Sequence, residues 1–351
     1  MIRLSLLQFR AQAITAATAL AAFAILLAAT GPHLASLYAA SGINGCQPAS
    51  CEHLASNWLS QLYSAGTYWV LYLLGIVIIL LAPAIIGLFW GAPLIARELE
   101  DGTSSLAWSQ SITRTRWLAV KLTLTGLAAM AVTEGLSLMQ AWWATPIGRA
   151  VGHGGGGTNL AMGRFSSLVF ATHGITPLGY AAFGFTLGVT AGALIQRAVP
   201  AMAITLAIFA AVQIAMPLWI RPDLFAARHT VIPVSSLHNI SLQQGGLNGS
   251  SFTLGTGDLP GQPGAWLLSS EAVNPAGQAT STTPTACTVH LDGNNTPGFL
   301  DCLDSHGIRE AVSYQPASRY WAFQWTETAI YLALALVMAG YCFRRLSRRL
   351  S

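Results

Sequence analysis

The sequence predicts an all-α polytopic membrane protein: six transmembrane helices, with a mixed, disulfide-bearing exterior domain between spans five and six. Three observations carry this. Hydrophobic residues are 53% of the 351 and charged residues 9%, with mean hydropathy +0.52, a balance a soluble globule does not have. The apolar residues gather in six runs, each long enough at ~1.5 Å per residue to cross a hydrocarbon core of ~30 Å. One polar stretch, 221–321, rich in Gly, Ser, Thr, Pro and Asn, interrupts them.

Residues 1–30 hold an interfacial helix and the first span. Ile2, Leu6 and Phe9 recur at helical spacing on one face, with Arg3 and Arg10 on the other, which suits a helix lying in the membrane surface. The uncharged run 11–30 is longer than the roughly 7–15 residues of a secretory signal core, so it is read as a retained span. The exterior loop 31–66 has no Lys or Arg from 31 to 64, which places it outside and the N-terminus inside. Cys46 and Cys51 are expected to form a small disulfide on that oxidising side. A metal site there would need more ligands than His53 supplies.

Residues 67–220 carry spans two to five. The run 67–90 returns inward, with Pro83 a natural kink. The polar segment 91–116 follows. Glu98, Glu100 and Asp101 fall where a helix ends, a place that favours cations rather than acids. Gly102 can stop that helix, and Thr103 can cap a new short one. Acids so placed suit docking to Arg or Lys on another molecule; the alternative is a solvated loop pairing them with Arg97, Arg114 and Arg116. The third span, 117–143, carries Glu134 at mid-membrane. Such a group is costly there and faces a cavity or a partner, which makes it a candidate pathway residue; the alternative is packing beside Thr133 and Gln140.

The glycine run 154–157 resembles a phosphate cradle, but the G-x-x-x-x-G-K-[ST] pattern is missing, so it reads as a flexible loop. Residues 165–195 are uncharged and too many for one straight span. His173, Gly174 and Pro177 predict a kink or a shallow insertion before the span proper. Gly184, Gly188 and Gly192 make two overlapping G-x-x-x-G patterns, a smooth ridge for helix packing. Arg197 marks an inner turn, and 198–220 runs outward.

The exterior domain, 221–321, is predicted to contain short strands, helices and many turns. Cys287 and Cys302 are expected to form a second disulfide, while Cys342 is a packing residue. The last span and basic cytoplasmic tail occupy 322–351, entered through an aromatic belt of Tyr320, Trp321, Phe323 and Trp325 and closed by Arg344, Arg345, Arg348 and Arg349. Glu327 is expected to pair with Arg319 or to line an exit. With both termini inside, eleven Lys and Arg lie inside and six outside.

Glu98-x-Glu100-Asp101-Gly102-Thr103, followed by Leu106, Arg114 and Lys121, resembles the first cytoplasmic loop (E-x-E-x-G-T…L…R…K) of the type-2 ATP-binding-cassette (ABC) permease family. The resemblance implies a coupling segment at 91–116, seated on a separate ABC ATPase subunit, with Glu98, Glu100, Asp101, Gly102, Thr103 and Arg114 as the coupling residues. It implies a second permease subunit, homodimeric or paralogous, and an exporter of an unknown lipophilic substrate in a bacterial plasma membrane. No cofactor is expected in this chain; ATP and Mg belong to the partner. One Lys against sixteen Arg, with abundant Ala and Gly, is the composition of a GC-rich, actinobacterial kind of genome. The long segment 221–321 departs from the shorter re-entrant helices usual in that family.

Other functions find little support. H-E-x-x-H, G-x-S-x-G and dinucleotide-binding glycines are absent, and the eight histidines are scattered. No catalytic residue and no metal site is predicted, and the net charge of +4 reflects topology rather than nucleic-acid binding. The rival reading is a non-transporting six-span anchor for an exterior sensor domain. A secondary transporter is disfavoured by the sparse intramembrane charge and the lack of internal repeats.

Overall fold

In the computed structural model, the described residues are 2–100, 114–153, 163–237, 240–245, 251–256, 259–290 and 296–348. Asp101, Gly102, Thr103 and Leu106, and the glycine run 154–157, lie outside them.

Six helices are long and apolar enough to cross a membrane: Gln12–Ala40, Thr67–Ala96, Ala119–Trp143, Thr176–Ile195, Ala198–Asp223 and Ala317–Arg345. The first belongs to α1 (Ile2–Ala40), which is a correction to the sequence reading. The predicted surface helix and first span are one uninterrupted helix, and it runs ten residues beyond the predicted end, through Gly31 and Pro32. Nothing in that stretch breaks a helix strongly enough, since proline is tolerated in membrane helices. The loop that follows is itself helical: α2 (Pro48–Ala65) opens with a proline in its first turn and closes at Gly66, with φ 75°.

The second span is α3 (Thr67–Ile86), a single π-helical turn at Gly87–Gly91, and α4 (Ala92–Glu100). Pro83 lies one turn before the bulge, and Gln12 of α1 donates to the Phe89 carbonyl at 3.3 Å within it. The third span lies in α5 (Arg114–Trp143), followed by the short α6 (Thr145–Gly152). Then come α7 (Ser167–Thr172), α8 (Thr176–Ile195) and α9 (Ala198–Ala215).

The predicted break before the fourth span falls at His173–Ile175, with Gly174 at φ 80°. Its loose backbone groups are held by one buried side chain. Gln324 Oε1 accepts from the Ile175 and Thr176 amides at 3.0 and 3.1 Å, and Nε2 donates to the Phe170 and His173 carbonyls at 3.2 and 3.0 Å. Away from water, an interrupted helix persists only where protein groups replace its missing bonds.

The axis of the bundle is α8. Fifteen of its twenty residues are buried, and α3, α4, α5, α9 and the last helix pack around it. Small residues make this possible, because the backbones approach closely. Outward faces are apolar instead: Ile25 is 70% exposed, Val199 76% and Leu336 73%. That inversion suits a lipid solvent.

Between spans five and six stands a small α/β domain. Strand β1 (Arg228–Pro233) pairs antiparallel with β5 (Arg309–Gln315), which also pairs with β4 (Trp266–Val273); β2 (Ile240–Gly245) and β3 (Ser251–Thr256) form a separate two-stranded sheet. Its core gathers Val234, Leu237, Phe252, Phe299 and Leu303 around the Cys287–Cys302 disulfide, and α10 (Thr296–Ser305) supplies three members. The other disulfide is Cys46–Cys51. Helix alternation puts both at one end of the bundle. The last span, α11 (Tyr320–Arg348), returns from that end.

Candidate coupling end and intramembrane core

Of the residues expected to meet a partner, Glu98, Glu100 and Arg114 are described, and they lie at the end opposite the disulfides. Glu98 and Glu100 occupy the last turn of α4, and Arg114 is the first residue of α5. The helix that carries the acids is anchored deep in the bundle through glycine. A Cβ at Gly184 would sit 2.6 Å from the Pro83 carbonyl oxygen. One at Gly188 would overlap the Gly87 carbonyl oxygen, and one at Gly192 the Ala92 carbonyl oxygen. Reciprocally, Gly87 faces the Gly184 oxygen and Gly91 the Phe185 oxygen, each at 2.5 Å from an added Cβ. At five positions glycine thus lets the backbones of α8 and the α3–α4 rod meet directly, while larger side chains such as Trp90, Ile95, Phe185 and Val189 pack beside them. At such contact, displacement of α4 cannot be absorbed by side-chain rotation.

Glu134 is half-buried on α5, and its Oε2 is buried with no partner among the described residues. The expected neighbours Thr133 and Gln140, and Ser137 beside them, donate elsewhere. Thr133 donates to the Ala129 carbonyl, Gln140 to the Tyr72 carbonyl, and Ser137 to the Thr172 carbonyl. Glu134 Oε2 thus takes no hydrogen bond from Thr133 or Gln140.

Toward the disulfide end lies a charged cluster that the sequence reading missed. Arg221 closes the fifth span and Glu327 sits two turns into α11; their side chains are 1% and 0% exposed. The guanidinium donates twice, Nε to Oε2 at 2.8 Å and Nη2 to Oε1 at 3.0 Å. This bidentate fork is geometry that lysine cannot make. The Tyr180 hydroxyl of α8 donates to Glu327 Oε1, and the Phe170 ring of α7 lies 4.0 Å from Arg221 Cζ. Tyr331 stands edge-on to Tyr180 at 4.7 Å and donates to Gln213 of α9. Four helices, α7 and α8 of the broken-helix element with α9 and α11, thus gather around one ion pair.

Glu327 thus pairs with Arg221 rather than with Arg319, which corrects the expectation. Arg319 is occupied: it donates to the Ala226 carbonyl and to Gln315 Oε1 at 2.6 and 2.7 Å. A signal was available, since Arg221 and Glu327 mirror each other at the two membrane-proximal stems of the inserted domain. The leftover Cys342 is buried in α11 with its sulfur 3.3 Å from the Thr190 hydroxyl.

Comparison with curated proteins finds no match, and comparison with solved structures finds none either. A family model described as "ABC-2 membrane transporter related" matches residues 17–221, more than half of the chain, from the first span to the end of the fifth. With six membrane-spanning helices around a glycine-lined axis, the chain belongs to the ABC-2 membrane transporter related family, a family of multi-pass permeases that usually partner with an ABC ATPase.

Proposed function

We propose that this chain is the membrane-spanning subunit of an ATP-driven exporter, and that Glu98, Glu100, Asp101, Gly102, Thr103 and Arg114 form its contact with the ATPase. Both termini and the coupling segment lie in the cytoplasm of a bacterial plasma membrane; the disulfide end lies outside. ATP and Mg²⁺ are bound by the partner, and a second permease subunit completes the path. The cargo is lipophilic.

The observation that carries this reading is the glycine-lined seam, where backbones touch at five positions. An acid-bearing helix end is continuous, through one π-helical turn, with a rod that meets the central helix backbone to backbone. A push on the coupling segment would reach α8 and, through Tyr180, the Arg221–Glu327 pair that joins the fifth and sixth spans. Closure of the ATPase pair on ATP then biases the spans toward an outward-open arrangement, as alternating access requires.

The test replaces the acids. Glu98→Ala with Glu100→Ala should leave the protein in the membrane and the ATPase hydrolysing, while transport falls by about tenfold or more, corresponding to the loss of roughly 1.4 kcal/mol of coupling. Unchanged transport by that double variant would overturn the assignment.

A further inference from the structure

We propose that the cleft between the disulfide-proximal end of α1, the helix α2 and the start of α3 is a binding pocket for one uncharged lipophilic molecule carrying a hydrogen-bonding group. The cleft has a volume of about 530 Å³, within the ~300–1,000 Å³ of small-molecule sites. Its walls are apolar and aromatic, with Leu37 from α1, Trp58 and Leu62 from α2 and Tyr68 from α3. Among the described residues, no acidic, basic or histidine side chain lines it.

Two features make it a site rather than a packing gap. Asn57 and Gln61 stand one helical turn apart on α2, both lining the cleft and both exposed, and with no hydrogen-bond partner among the described residues their amides can turn to a bound molecule. The cleft is also held open from behind. Trp58 and Leu62 are buried in the core, Trp58 packs edge-on against Tyr38 at 5.4 Å, and the Cys46–Cys51 disulfide anchors the first turn of α2. The walls are therefore preformed, which lowers the ordering cost of binding.

The lining selects the ligand class. A charged group would lose water without gaining a counter-charge. A bare hydrocarbon would desolvate two amides and give them nothing in return. An apolar body bearing a hydroxyl, amide, ester or N–H satisfies both walls. A neutral membrane lipid and a dissolved lipophilic compound share that chemistry, and both can reach a cleft at the membrane surface.

The experiment uses the full chain in detergent micelles, titrated with N-phenyl-1-naphthylamine, an uncharged fluorophore with one N–H. Saturable one-site binding is expected above the linear micelle background. Ala40→Trp and Ala65→Trp, at exposed positions on the mouth, should weaken it about tenfold or more. Asn57→Leu with Gln61→Leu should weaken it about fivefold, the worth of one net hydrogen bond, while binding of the hydrocarbon diphenylhexatriene should tighten, since no amide is then desolvated. Native mass spectrometry separates the sources. A lipid retained by wild type and lost from Ala65→Trp identifies the bilayer; probe binding with no retained lipid identifies a dissolved compound. The proposal is overturned if both tryptophan variants bind the probe as wild type does. It is also overturned if the anionic analogue 1-anilinonaphthalene-8-sulfonate binds the same cleft as tightly as the uncharged probe.

Discussion

Arg221 has left water for a site 1% exposed, and only the carboxylate of Glu327 makes that tolerable. Breaking such a pair costs more than replacing it, because the survivor is stranded. Arg221→Ala should therefore destabilise the folded protein by about 3–5 kcal/mol, whereas Arg221→Met with Glu327→Met should lie close to wild type. Unfolding in detergent, followed by tryptophan fluorescence, measures both. Glu310, on β5 of the inserted domain, is a second buried acid. It is 0% exposed, the Ser270 hydroxyl donates to its Oε1, and Oε2 has no partner among the described residues. Burial raises its pKa from the usual 4.5 to about 7. The folded domain thus keeps a proton that the unfolded chain releases between those values. Its stability is full below pH 4.5, falls as pH rises to about 7 and is level above, a loss of about 3 kcal/mol in all. The protection factors of β4 and β5, with the base-catalysed intrinsic exchange divided out, should fall between pH 5 and pH 7, and Glu310→Gln should abolish that fall. The existence of costly acids was legible in the sequence, but their partners were not. Glu327 lies more than a hundred residues from Arg221, and depth in a membrane fixes a height without fixing which neighbour shares it.

Among the elements, α8 and the α3–α4 rod make the strictest demand. Gly188→Ala would drive a Cβ into the Gly87 carbonyl, so the helices must part, at about 1–3 kcal/mol. Gly135→Ala on α5, whose nearest atom would be Leu20 Cδ2 at 3.8 Å, should change thermal stability little and serves as the control. The four-residue glycine spacing was readable without coordinates; the carbonyls it would face were not, because they belong to a rod whose phase is reset by a π-helical turn. The break at His173–Ile175 was likewise announced by Gly174 and Pro177. Its support by Gln324 was hidden, since an amide on a distant span has no local signature. The first helix was misread for the opposite reason: amphipathic spacing at its start and glycine-proline near its end look like boundaries, yet the membrane lets a helix run through both.

For the molecule as a whole, sidedness follows from where basic residues and disulfides fall. In a Cys342→Ser background, a membrane-impermeant maleimide should label Ser41→Cys on intact cells, and Arg197→Cys only after permeabilisation. The reverse pattern would invert the orientation. Six spans and a domain between the last two were legible from hydropathy and composition alone, because apolar length is a property of sequence. The strand order of that domain was not, since β5 is central yet comes last in the chain. That order has a consequence. Because β1 and β5 are partners, with Arg228 opposite Tyr314, the chain leaves the bundle and rejoins it through neighbouring stems. The inserted module therefore stands on two adjacent legs and leans on a third support, since Trp266 of β4 stacks on Phe165 and meets the Phe323 ring edge-on, so a tilt of α11 is handed straight to the sheet above it.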